Sequence, residues 1–128
     1  ETTRNNNLSE NKFLYIEKTD YEKLADYFNF CDYFTMLSRN ETFGIVYIMA
    51  IACNKPVLAE NAPQQKWMLE NAALYCDGTL DESQLSKKLE ELTKISFYSI
   101  PVNISKKYHW SNIVEMYKKE INKFKHFN

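Results

Sequence analysis

Short apolar runs in this chain alternate with longer segments whose apolar residues recur every three or four positions. "KFLYIE", Lys12 to Glu17, is short and rich in β-formers, which predicts a strand. Thr19 with Glu22 three residues on has the form of a capping box, and Leu24, Tyr27, Phe28 and Cys31 then repeat at helical spacing. "DYFTMLS", Asp32 to Ser38, predicts a second strand. "FGIVYIMAIAC" is too uniformly apolar for a surface helix and predicts one buried on most sides. Asn54 suits the left-handed position that closes such a helix, and Pro56 forbids its continuation. "KPVLAE", Lys55 to Glu60, and "AALYCD", Ala72 to Asp77, predict two more strands. Between them "APQQKWMLEN" predicts a short helix with Pro63 in its first turn. After Gly78 turns the chain, Thr79 and Glu82 suggest another capping box, and Leu85, Leu89 and Leu92 line the helix that follows. An irregular connection holds Pro101, and a closing helix over about 111–125 carries an apolar stripe of Trp110, Ile113, Val114, Tyr117, Ile121 and Phe124.

Strands that alternate with helices imply a doubly wound, Rossmann-like α/β domain. Its parallel sheet of about four strands has helices on both faces. We assign it to residues 12–128, after a polar tail or helix end at 1–11 that starts without Met. In such sheets ligands gather outside the carboxyl ends of the strands, which selects the loops after Glu17, Ser38, Glu60 and Asp77.

Composition narrows the function classes. The 128 residues fit one domain, and 45% hydrophobic residues suffice for a core. A net charge of -1 offers no basic field for nucleic acid, so no nucleic-acid partner is expected. Cys31, Cys53 and Cys76 have no metal-like spacing and read as buried free thiols of a reducing, cytoplasmic compartment. Neither His109 nor His126 has a partner at ligand spacing, so no metal is expected, and His109 beside Trp110 reads as packing. No run approaches the length of a membrane span. Lys106, Lys107, Lys118, Lys119, Lys123 and Lys125 make a basic end, read either as a solvated helix face or as a peripheral contact with anionic lipid.

The chemistry concentrates in "SRNETFGI", Ser38 to Ile45. This loop leaves a predicted strand and enters a predicted helix, so it opens onto the ligand edge. Gly44 lacks a Cβ and admits close approach to the backbone. The amides from Thr42 through Phe43 and Gly44 to Ile45 would have no intrahelical partner and would suit a phosphate. Glu41 beside them could accept hydrogen bonds from hydroxyls, or could simply stabilise the helix N-terminus by ~0.3–1 kcal/mol. Ser38 lies at the strand end, while Arg39 and Lys66 either neutralise phosphate or are merely solvated. Asn61 and Gln64 could read a base or sugar, and Glu60 could contact sugar hydroxyls.

A longer pattern adds to this reading. From "LADYFNFCDYF" through "E-x-FG" and "KPVLAE" to "LYCD", the chain resembles the carboxyl-terminal lobe of the family-four, GT-B-fold glycosyltransferases. Asp32, Ser38, Glu41, Phe43, Gly44, Ala50, Ala52, Pro56, Val57, Ala59, Ala73, Leu74 and Asp77 stand at matching places, and "YHWSNIVEMYKKEI" is similar to the closing helix. The resemblance implies a retaining transferase that moves a hexose from a nucleotide sugar, such as a UDP- or GDP-hexose, to an acceptor hydroxyl in glycan, glycolipid or polysaccharide synthesis. By the same resemblance Glu41 contacts the donor sugar, the backbone at Phe43 and Gly44 holds the pyrophosphate, and no cofactor is required. It also implies an amino-terminal acceptor lobe as partner, without which this piece binds donor but does not turn it over.

The departures matter as much. The family's second glutamate falls at Met49, eight positions after Glu41, and a thioether cannot hold ribose hydroxyls. Losing a charged hydrogen-bond partner commonly costs ~1.5–3 kcal/mol. "ENAPQQK" stands where small glycines are usual, Asn54 replaces another glycine, and no basic phosphate contact precedes Lys12, since Arg4 lies outside that context. A non-catalytic interaction module of the same ancestry is therefore an alternative. A flavodoxin-like or receiver-like domain is a third, which Glu17 and Asp20 alone support poorly.

Overall fold

The structure, a computed structural model, describes residues 14–95 and 103–124. The predicted polar tail, Lys12 and Phe13, the connection around Pro101, Lys125 and His126 lie outside these residues, as does the side chain of Phe124. Three strands form one parallel sheet in the order β1 (Phe34–Met36), β2 (Val57–Glu60), β3 (Leu74–Cys76). Helices α1 (Leu24–Phe30), α2 (Ile45–Ala52), α3 (Pro63–Leu69), α4 (Glu82–Thr93), α5 (Asn103–Lys107) and α6 (Trp110–Phe124) complete the domain. The Rossmann-like α/β class is as expected.

Burial follows the strand period. Val57 and Ala59 of β2 face one core with Phe28 of α1, Tyr47, Ala50 and Ile51 of α2, Met68 and Leu69 of α3, and Ile104 of α5. Leu58 points the other way, onto a second core with Cys76 and Leu92 of α4. Helices thus cover both faces, and all four residues of β2 are buried, which is why "VLAE" shows no polar alternation until Glu60. Aromatic edges lock the first layer: Phe28 meets Phe34 at 5.5 Å between ring centres, and Phe34 meets Tyr47 at 5.9 Å.

The punctuation residues act much as predicted. Asn54 adopts φ 58° and, with Pro56 close behind, ends α2. Its amide bonds to the Ile51 carbonyl at 2.8 Å, and that of Lys55 to Ala50 at 2.9 Å. Pro63 occupies the first turn of α3.

Several expectations are corrected. Residues 14–17 form no strand, and Leu14 and Tyr15 are exposed. A strand requires a neighbour for its backbone groups, and among the described residues none pairs with this segment. The first capping box does not form: Asp20, not Thr19, precedes a short 3-10 turn (Tyr21–Lys23) that leads into α1. The second shifts by two residues. Asp81 caps α4 by accepting from the Gln84 amide at 2.9 Å, while the Gln84 side chain accepts from the Asp81 amide at 3.2 Å. Helix α2 is less enclosed than expected, with Ile45 and Ala52 exposed. Of the three thiols only Cys76 is buried, and all three are free. The stripe of α6 faces outward: Trp110 is 76% exposed and Tyr117 68%.

Candidate functional site

The carboxyl ends of β1 and β2 direct their following loops to the same edge of the sheet, because the strands run parallel. The loop after β1 spans residues 37–44 and ends on Gly44, which sits at φ 62° and starts α2. That left-handed turn favours glycine. An added Cβ would stand 2.7 Å from the Tyr47 ring and 3.0 Å from Glu41 Cγ. Glycine therefore lets the chain fold tightly between the core and the acid.

Helix α2 begins at Ile45, two residues later than the sequence suggests. The Tyr47 amide bonds back to Gly44 at 3.0 Å, so the helix-start donors that come before it are those of Gly44, Ile45 and Val46. Thr42 drops out of that set. Its amide donates to Glu41 Oε1 at 3.2 Å, which fixes the half-buried Glu41 at the helix mouth. At this helix start Gly44 is buried, Ile45 exposed and Val46 half-buried, and Met49 is half-buried against the core.

Three side chains whose bracing role was not anticipated from sequence hold this loop. Tyr47, fully buried, donates its hydroxyl to the Met36 carbonyl at 2.6 Å. Burial chiefly, then the Glu41 and Glu60 carboxylates, push its phenol above the ordinary tyrosine value. Gln65, also buried, donates from Nε2 to the Ser38 carbonyl at 3.1 Å. Gln64 donates to the Thr42 carbonyl. The signal for Tyr47 was a hydroxyl inside an otherwise apolar helix, since a buried tyrosine must place its O–H somewhere. Nothing in "PQQK" distinguishes two bracing amides from surface ones.

The second loop brings Glu60 and Asn61. Glu60 is 5% exposed, and its Oε1 lies 3.7 Å from Nε of the exposed Arg39. Asn61 is exposed, and its side-chain amide donates to Asp77 at 3.3 Å. Asn61 and Gln64 are thus engaged with the protein itself, whereas Lys66 stands exposed on α3. Phe43 packs edge-on against Tyr108, with 5.4 Å between ring centres. Together with Ile113, Met116, Tyr117 and Glu120 they line a groove of about 320 Å³.

His109 is not a packing residue. It is exposed, and its Nδ1 lies 2.9 Å from the Ser111 hydroxyl at the start of α6. Three lysines of the basic end pair with acids: Lys107 with Glu70, Lys118 with Glu115 and Lys123 with Glu120. Among the described residues no group of His, Cys, Asp or Glu is placed to hold a metal ion, and no helix is long and apolar enough to cross a membrane.

A parallel open sheet with flanking helices and a glycine-turned helix mouth at its carboxyl edge defines a Rossmann-like α/β domain. Residues 3–109 match the family "Glycosyl transferases group 1", most of the chain, and the chain belongs to that family. No curated protein shows a significant match to it.

Proposed function

We propose that this chain is the carboxyl-terminal, nucleotide-sugar-binding lobe of a retaining, family-four GT-B glycosyltransferase. The two-lobed enzyme would transfer a hexose from a UDP- or GDP-sugar to an acceptor hydroxyl. The carrying observation is the junction of Glu41, positive-φ Gly44 and the first amides of α2 at the carboxyl edge of the sheet. A diphosphate resting on the Gly44, Ile45 and Val46 amides would have its charge met by the helix end. The same contacts stabilise the nucleoside diphosphate as it departs, so they serve the transition state as well as the ground state. Glu41, already oriented by the Thr42 amide, would accept hydrogen bonds from hexose hydroxyls next to the reacting carbon. Arg39, exposed on the same loop, is a cation within the same edge. The acceptor would come from an amino-terminal lobe facing this edge, so the 128-residue chain binds donor without transferring it.

Met49 packing on the core, and Asn61 and Gln64 spent on internal hydrogen bonds, favour a second reading: a degenerate, non-catalytic interaction module. Calorimetric titration with UDP-glucose and GDP-mannose separates the two. Saturable binding that Glu41→Ala abolishes supports the donor lobe. A folded chain that binds neither nucleotide sugar supports the module.

A further inference from the structure

The Glu60 carboxylate has no account within the fold. It ends β2 on the α4 side of the sheet, and its side chain is only 7% exposed. Oε2 is sealed from solvent and has no hydrogen-bond partner among the described residues. Oε1 faces Arg39 at 3.7 Å, too far for a hydrogen bond, and Arg39 is itself 57% exposed. A buried carboxylate normally collects several donors, and one left without them destabilises the protein that holds it. Such a group is best explained by a donor that arrives from outside.

Three features say what would arrive. Glu60 lies at the carboxyl edge, one strand over from the Glu41 loop, and both acids bear on the Tyr47 hydroxyl. The turn above it is close: a Cβ on Gly78 would come within 2.6 Å of Oε2, so a glycine there is what leaves the carboxylate room. The partner that must yield is a flexible, exposed arginine, which an incoming diphosphate would attract. A ligand here must bring hydrogen-bond donors and tolerate an anion beside it, which describes the hydroxyls of a sugar attached to phosphate.

We propose that Glu60 is the second hydroxyl-accepting acid of the donor site, supplying from the end of β2 what Met49 does not supply from α2. This rests on the donor-lobe reading above. The sugar read is either the ribose or the hexose of the nucleotide sugar.

The test compares the wild-type chain with Glu60→Gln and Gly78→Ala, by calorimetric titration with UDP and UDP-glucose and by thermal melting. Loss of a charge-assisted hydrogen bond predicts about 10- to 100-fold weaker binding of UDP-glucose by Glu60→Gln. Weakening of UDP-glucose but not of UDP assigns Glu60 to the hexose, and equal weakening of both assigns it to the ribose. Gly78→Ala, which crowds Oε2 while removing no polar group, weakens the same probe. Because the carboxylate is unsatisfied, Glu60→Gln melts at or above the wild-type temperature even as it binds less. A merely structural ion pair with Arg39 would give the reverse, a lower melting temperature and unchanged affinity, and that result overturns the proposal. Wild type that binds neither probe overturns the donor-lobe reading itself, and with it this inference.

Discussion

Replacing Gly44 by alanine isolates the feature on which the helix mouth depends. Two costs add. At φ 62° a side chain brings Cβ against the backbone, for roughly 1–2 kcal/mol. The new Cβ also stands 2.7 and 2.9 Å from ring atoms of Tyr47, well inside contact distance. Tyr47 cannot step aside freely, because it is fully buried, packed on Phe34 and hydrogen-bonded to Met36. Overpacking of this kind costs about 1–3 kcal/mol, so Gly44→Ala should lose ~3 kcal/mol in all. With an unfolding entropy of roughly 2.1 cal/mol/K per residue, that loss lowers the melting temperature by about 10 °C. Scanning calorimetry on the variant measures it. Gly44→Asn separates the two terms, since asparagine tolerates the left-handed region but keeps the Cβ. It should recover part of the backbone cost of roughly 1–2 kcal/mol and none of the Tyr47 clash. An alanine variant melting within ~2 °C of wild type would refute the reasoning, because neither the backbone conformation nor the Tyr47 contact would then matter.

Two further predictions concern tyrosines. Tyr47→Phe removes the donor to the Met36 carbonyl and should cost about 1–2 kcal/mol in urea unfolding, while loosening the loop that carries Glu41. Tyr75 has its phenol pushed up to about 12 by burial and then by Glu70, against 10.0 in an unfolded chain. The folded state therefore holds a proton that the unfolded state releases, so stability falls as pH rises from 10 toward about 12. Thermal melts across that window should show Tyr75→Phe with the shallower decline, and an unchanged slope would contradict the assignment.

Much of the frame was readable from local chemistry. Asn54, Pro56 and Pro63 mark boundaries because each constrains its own backbone, whatever surrounds it. The three strands that form were found because β-rich runs between turn residues carry that information themselves. What failed depended on choices between neighbours or on distant partners. The pattern Thr-x-x-Glu cannot reveal that Asp20 or Asp81, one or two residues on, takes the capping position. A β-prone segment such as residues 14–17 has no strand to join among the described residues. An apolar stripe on α6 predicts a face to be covered without saying by what, and within the described domain it stays largely open. The placement of Glu41 and Gly44 at the helix mouth was legible because acid, glycine and helix start are adjacent in sequence. Gln65 and Tyr47 were not, because their partners, the carbonyls of Ser38 and Met36, lie 27 and 11 residues away.

The claim beneath all of this is that a diphosphate sits on the first amides of α2. Nitrogen-15 NMR of the labelled chain titrated with UDP examines those amides one by one. The account predicts saturating shifts at Gly44, Ile45 and Val46, together with Thr42 as Glu41 adjusts, and their loss in Glu41→Ala. Saturable binding whose shifts fall elsewhere, or no shift at these amides at millimolar nucleotide, would contradict it.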